Sequence, residues 1–122
     1  MVKLLSDTPK EGDRVLVLKQ HWLDLLLKRE KLIEVRGMPL KSGVYYLGSG
    51  GKIYGCAFFG APLPINDAAH WNALRRKHRV LDPLPPYKRT FGLPVIRIRR
   101  ISPPLPYVHP RGAIGLVRYR IA

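Results

Sequence analysis

Three charged side chains close together form the most chemically suggestive group in the sequence. Lys31, Glu34 and Arg36 end a stretch, 19–36, in which a basic and aromatic opening leads into a Leu-rich segment. Side chains alternate between the two faces of a strand, so Glu34 and Arg36 would share one face. A carboxylate beside cations can orient a guanidinium or exchange a proton, but an exposed pair contributes only about 0–1 kcal/mol. The residue types alone therefore leave open a polar site and an ordinary solvated face.

Other groups that could act as acids, bases or ligands are scattered along the chain. A pair of histidines could serve as general acid and base in ribonuclease chemistry, but the sequence brings no two of them together. No two histidines have the i, i+4 spacing of a metal site, and the single cysteine excludes a disulfide or a Cys-based metal site. We therefore expect neither a metal nor another cofactor. The residues concerned are His21, His70, His78, His109 and Cys56, which we expect to be a buried structural thiol.

The charge of the chain is strongly positive and unevenly distributed. The formal net charge is +14, and residues 83–122 contain eight Lys and Arg but no acid. This pattern indicates nucleic acid as partner, with RNA or single strands favoured over sequence-specific duplex and DNA possible. An anionic membrane surface is the competing interpretation. We expect phosphate contacts from Arg97, Arg99, Arg118 and Arg120, and base stacking from Tyr45, Tyr46 or Tyr54.

Short elements with turn-rich connections indicate an α+β fold, a small, mostly antiparallel β-barrel with two helices at its rim. We expect one domain over 14–122, preceded by a leader over 1–13. Trp22, Leu25 and Leu26 have helical spacing and fall on one face of the first helix, with Leu23 and Leu27 flanking them. The predicted strands are 14–18, 32–36, 43–47, 52–60, 95–101 and 113–121. The predicted helices are a segment of about ten residues from Lys19 and a segment over 66–78, with Asn66 as N-cap, and a proline-rich loop is expected over 102–112.

The stretch 19–36 resembles the motif of the ASCH family, which belongs to the PUA-like superfamily. The matching residues are the opening Lys19-Gln20-His21-Trp22 and the later Lys31, Glu34 and Arg36, whereas Arg29 stands where the family motif has glycine. The resemblance implies a PUA-like barrel with a nucleic-acid-binding cleft between the barrel and the first helix. It implies that Lys31, Glu34 and Arg36 line this cleft and that Lys19 and Trp22 lie near its mouth.

Two alternatives to a binding module remain. Some members of the family resemble ribonucleases, and a small relative hydrolyses a modified nucleoside. In that amidohydrolase pattern a threonine nucleophile follows the motif lysine by three residues, but Glu34 occupies this position. A hydrolase would use Lys31 as base beside Glu34. The segments Pro83-x-x-Pro86 and Pro103-x-x-Pro106 could instead dock a protein partner. We favour the non-catalytic binding module.

The sequence also bears on location. No segment approaches about 18 consecutive apolar residues, and the beginning of the chain has no apolar core of signal-peptide length. We therefore expect no membrane contact and an intracellular protein, in the cytoplasm or with the nucleoid or nucleus. The sequence does not indicate an oligomeric state.

Overall fold

A curled mixed sheet forms the frame of the molecule. The computed structural model describes residues 5–122, so the first four residues of the predicted leader lie outside the described residues. The strands are β1 (Arg14–Val17), β2 (Ile33–Arg36), β3 (Gly43–Ser49), β4 (Lys52–Phe59), β5 (Leu63–Pro64), β6 (Phe91–Pro106) and β7 (Leu116–Arg118). The helices are α1 (Gln20–Leu27), α2 (Ala68–Ala73) and α3 (Arg75–His78).

The order of strands across the sheet is β2-β6-β4-β3-β1-β7, and β5 pairs with the beginning of β6. Every pair is antiparallel except β1 with β3, because the chain crosses between them through α1 and β2. The predicted α+β, mostly antiparallel architecture is therefore confirmed. The sheet is a half-barrel, since its edge strands β2 and β7 do not pair with each other.

Two apolar clusters pack on opposite faces of the sheet. Alternation along β3 sends Tyr45 and Leu47 into the cluster beneath α1 and Tyr46 into the other. Helix α1 buries Leu23 and Leu26, at i, i+3 spacing. Of the residues predicted to share one face of this helix, Leu26 is buried together with the flanking Leu23, whereas Trp22 is only partly buried. The side of α1 that carries Trp22 is thereby left to face a cavity.

Strands β3 and β4 form the predicted hairpin, with Gly50 and Gly51 at positive φ in its turn. Strand β6, in contrast, is much longer than expected and includes half of the predicted proline-rich loop. Its register against β4 jumps from Arg100 opposite Gly55 to Leu105 opposite Ile53. The prolines between these positions lie in a bulge, where a missing N–H costs no ladder hydrogen bond.

The second predicted helix is two short helices, so the described chain has three helices rather than two. The break lies at Leu74, whose backbone leaves the α-helical region. Asp67 rather than Asn66 caps α2, because its carboxylate accepts a hydrogen bond from the His70 backbone N–H at 2.7 Å. The break lets the His78 ring stack on the Trp71 ring with centroids 3.8 Å apart. No helix in the described range is long and apolar enough to cross a membrane.

Candidate functional site

A cavity of about 560 Å³ lies where the two ends of the curled sheet approach each other. Its walls are the end of β1, the beginning of α1, the segment 80–87 that follows α3, and the chain just before β7. Charged side chains from β2 and from the residues before it form the floor. The lining includes Lys19, Trp22, Lys31, Glu34, Arg36, Tyr87 and Gly115.

The end of α1 aims Lys31 at this cavity. Arg29 adopts a left-handed conformation with φ 61°, and the backbone N–H groups of Glu30 and Lys31 both bond to the Leu25 carbonyl. Left-handed residues commonly end helices and are usually glycine. The glycine of the family motif therefore corresponds to a position whose backbone geometry favours glycine, and Arg29 adopts that geometry here. The reversal places Lys31 beneath Trp22 and next to β2.

Lys31 is almost completely buried, with 1% of its surface exposed. Its Nζ donates a hydrogen bond to the His78 carbonyl, lies 3.8 Å from Glu34 Oε1, and is 4.8 Å from the centroid of the Trp22 ring. Burial lowers the pKa of Lys31 from its ordinary value of 10.5 to about 8; Glu34 opposes this shift and Arg36 adds to it. A lysine in this state can donate a hydrogen bond as a cation or, in its neutral fraction, accept a proton.

Glu34 and Arg36 form a directed ion pair on the same face of β2. Arg36 Nε donates to Glu34 Oε2 at 2.9 Å, and the carboxylate residue is only 4% exposed. The Arg36 Nη2 group also donates to the Val17 carbonyl at 3.1 Å, at the end of β1. The guanidinium therefore spans the gap between two parts of the sheet that do not pair. One oxygen of Glu34 is fixed by Arg36, and the other faces Lys31.

His78 supports Lys31 through its backbone, and its ring is already engaged. The Val80 N–H donates to Nδ1 at 3.0 Å, so Nε2 carries the proton and donates to the Trp71 carbonyl at 2.9 Å. Burial lowers the pKa of His78, with Lys31 and Arg75 acting in the same direction and the bond to Trp71 opposing it. The ring is therefore a neutral structural group that fixes the carbonyl to which Lys31 donates.

The other histidines do not form an acid–base pair in the described residues. His109 accepts from the Tyr107 hydroxyl at 2.9 Å and donates to the Ala113 carbonyl at 2.8 Å, so it orders the chain before β7. His21 is exposed and packs its ring against Trp22. Within residues 5–122, no group of His, Cys, Asp and Glu side chains is arranged to hold a metal ion.

The predicted base-stacking tyrosines lie away from the cavity. Tyr45 and Tyr46 are buried in the core, and their hydroxyls donate to the carbonyls of Lys41 and Ser6. Tyr46 is only 4% exposed, so little of its surface is open to a base. The aromatic groups at the cavity are Trp22 and Tyr87, which is 50% exposed. Sequence reasoning missed Tyr87, although its position between a proline-rich run and two cations was a usable signal.

The four predicted phosphate-contacting arginines do not share one face. Arg97 and Arg99 lie on β6, whereas Arg118 lies on β7 and Arg120 directly follows it. Strands β4, β3 and β1 separate these two pairs in the sheet. The sheet therefore carries these arginines as two separate pairs. Alternation along a strand groups arginines in pairs, but the sequence does not show which strands are neighbours.

The half-barrel, with a cavity between its open side and the first helix, defines a small α+β fold. Comparison with solved structures finds an ASCH protein from Zymomonas mobilis, ZmASCH, as its S128A mutant. The TM-score is 0.72 at 13% identity, covering 93% of this chain and 92% of ZmASCH. At the level of the fold, this likeness confirms the resemblance to the ASCH family found in the sequence and the PUA-like barrel that the resemblance implied. No family model and no curated protein matches the chain.

Proposed function

We propose that this chain is an ASCH-type nucleic-acid-binding module that takes a single-stranded segment, preferably of RNA, into the cavity. The observation that carries the proposal is the cavity itself, in which two aromatic rings and a buried Lys31–Glu34–Arg36 network meet in a chain of net charge +14. Ligand pockets usually measure about 300–1,000 Å³, a range that suits one or two nucleotides better than a duplex.

Each group in the cavity has a role in this proposal. Trp22 and Tyr87 supply ring faces for stacking, which contributes about 1–3 kcal/mol per base. Glu34 Oε1, which lies 3.8 Å from Lys31 Nζ and does not bind Arg36, accepts a hydrogen bond from a base amino group. Lys19 is exposed at the mouth and meets a phosphate. This combination supports recognition of unpaired bases, whose edges and faces are both accessible.

The net charge supports nucleic acid over a neutral ligand, because cationic contacts to phosphates release counterions. With about six phosphate contacts to a single strand, affinity should fall about 300-fold between about 50 and 200 mM salt. A binding curve that does not respond to salt would contradict the proposal. RNA, single-stranded DNA and duplex DNA of one sequence, compared by fluorescence anisotropy, would identify the preferred ligand.

The aromatic residues provide the sharpest test. Trp22→Leu and Tyr87→Leu should each lower the affinity for single-stranded RNA about 5-fold or more, with the salt slope unchanged, because stacking releases no counterions. Tyr54→Leu is the control, since Tyr54 lies on β4, away from the cavity lining. Equal affinities for all three variants and the wild type would reject the cavity as the binding site. Removing Lys31 and Arg36 together is less informative, because it leaves Glu34 buried without a partner.

A second candidate function is hydrolysis of RNA or of a modified nucleoside. It is favoured by one observation, the lowered pKa of Lys31 beside Glu34 in a cavity. Labelled RNA and N4-acetylcytidine would be incubated with the wild type and with Lys31→Met purified identically. Products made only by the wild type would support a hydrolase, whereas intact ligands with tight binding would support the binding module.

A further inference from the structure

A second hollow, of about 500 Å³, lies on the other side of Lys31, between the end of α1 and β6. Lys31 lines both this hollow and the cavity, so the two adjoin. We call this second space the arginine hollow, because three arginines from two elements surround it. Its arginines are Arg29, Arg97 and Arg99, and its apolar lining includes Leu26, Leu32 and Val95.

The arginines of the hollow are placed to meet an elongated anion. Arg97 and Arg99 are two residues apart on one strand, so their side chains leave the same face about 7 Å apart. Arg29, which follows α1 and has a left-handed backbone, also lines the hollow. The carboxylate that contacts this group in the described chain is Asp7, 3.5 Å from Arg99 Nη2, with both side chains more than half exposed. Among residues 5–122, Arg99 is thus the one arginine of the hollow that has a carboxylate partner, and that pair is exposed.

The hollow also offers apolar contact and an open strand edge. Ile96 is 58% exposed and Leu32 is 44% exposed, and both line it. Strand β2 pairs with β6 only up to Pro94, and the Val95 N–H then bonds to the Leu32 carbonyl. Beyond Val95, this side of β6 has no strand partner among residues 5–122. Phosphates, sugars and bases of a single strand would each meet a matching surface there.

We infer that the nucleic-acid strand whose bases occupy the cavity continues through the arginine hollow, with its phosphates on Arg29, Arg97 and Arg99. Arg118 and Arg120 lie outside this path, because they line neither the cavity nor the arginine hollow. This inference rests on the proposed function and adds the direction in which the bound strand runs. It predicts a footprint of several nucleotides, since a mononucleotide would fill the cavity and leave the hollow empty.

The test compares two pairs of substitutions that remove the same charge. The variants are Arg97→Gln with Arg99→Gln and, as matched control, Arg118→Gln with Arg120→Gln; all four residues are exposed. The probe is a labelled single-stranded RNA of about ten nucleotides, within the usual range of site sizes. Affinity is measured between about 50 and 200 mM salt, and thermal melting checks that each variant is folded.

Loss of two phosphate contacts should flatten the slope of log affinity against log salt by about 1.4 and weaken binding about 20-fold near 0.1 M. The control pair should lose less than about threefold, through long-range charge alone. Replacing Arg97 and Arg99 by lysine should retain the slope, because the charges stay. Equal losses for both pairs, or no loss for the β6 pair, would overturn the inference while wild-type binding still supports the proposed function. If the wild type does not bind the RNA, both the proposed function and this inference are contradicted.

Discussion

Because Lys31 is buried, the free energy of unfolding should rise with pH above about pH 8, a range in which most proteins gain little stability. The pKa of this lysine is about 8 in the folded chain and 10.5 as its ordinary value. Between these values the unfolded chain binds more protons than the folded chain, so raising the pH favours folding. Below about pH 8 both states are protonated, and the cost of burying the cation is fully present. From pH 7 to 9.5 the gain attributable to Lys31 is about 2 kcal/mol.

The assay is urea unfolding at several pH values between 7 and 9.5, for the wild type and for Lys31→Met. Because the net charge of +14 also falls as other groups titrate, only the difference between the two slopes measures Lys31. Lys28→Met, at the exposed end of α1, should retain the wild-type slope. Parallel curves for the wild type and Lys31→Met would refute the reasoning, since they would mean that folding does not desolvate the Lys31 amine.

Three further predictions concern stability and binding. Arg29→Gly should raise the free energy of unfolding by about 1 kcal/mol while weakening RNA binding, because it relieves a left-handed arginine and removes a cation from the hollow. Arg79→Gly, at φ 64°, should raise the free energy of unfolding similarly while leaving RNA binding unchanged. Lower stability of both glycine variants would contradict the argument from left-handed backbone. Asp7→Asn should tighten RNA binding more than Asp24→Asn in anisotropy titrations, because it frees Arg99; equal effects would indicate charge alone. Glu34→Gln should lower the urea-unfolding free energy by about 3 kcal/mol, since it leaves two cations facing each other; an unchanged midpoint would contradict the buried pair.

The sequence predicted those parts of the site that depend on the alternation of side chains along a strand. Glu34 and Arg36 are two residues apart in an alternating run, so their shared face followed from strand geometry. Lys31 lies outside the strand, and its place beside them depends on the left-handed turn at Arg29. The acceptor for Lys31 is a backbone carbonyl at His78, 47 residues away, and no side-chain pattern encodes such a contact.

The errors in the predicted elements have physical causes. Prolines usually end a strand, but β6 continues past Pro103 and Pro104 because these two residues lie in a bulge, where a missing N–H costs no ladder hydrogen bond. The helical pattern over 66–78 was correct for side chains, yet packing of His78 against Trp71 accompanies a break at Leu74. Likewise, the sequence predicted the alternation of arginines on β6 and near β7. It did not predict which strands lie between these two segments in the sheet.

Arg36 has a consequence for how this fold can diversify. The half-barrel is bridged at the cavity by one guanidinium that joins Glu34 to the Val17 carbonyl, rather than by a ladder of backbone hydrogen bonds. The length and charge of this side chain therefore bear directly on the opening. A chain with the same strands and a shorter residue at this position could admit a larger ligand without any change in topology. In this architecture the size of the ligand can therefore change without a change in the pairing of the strands.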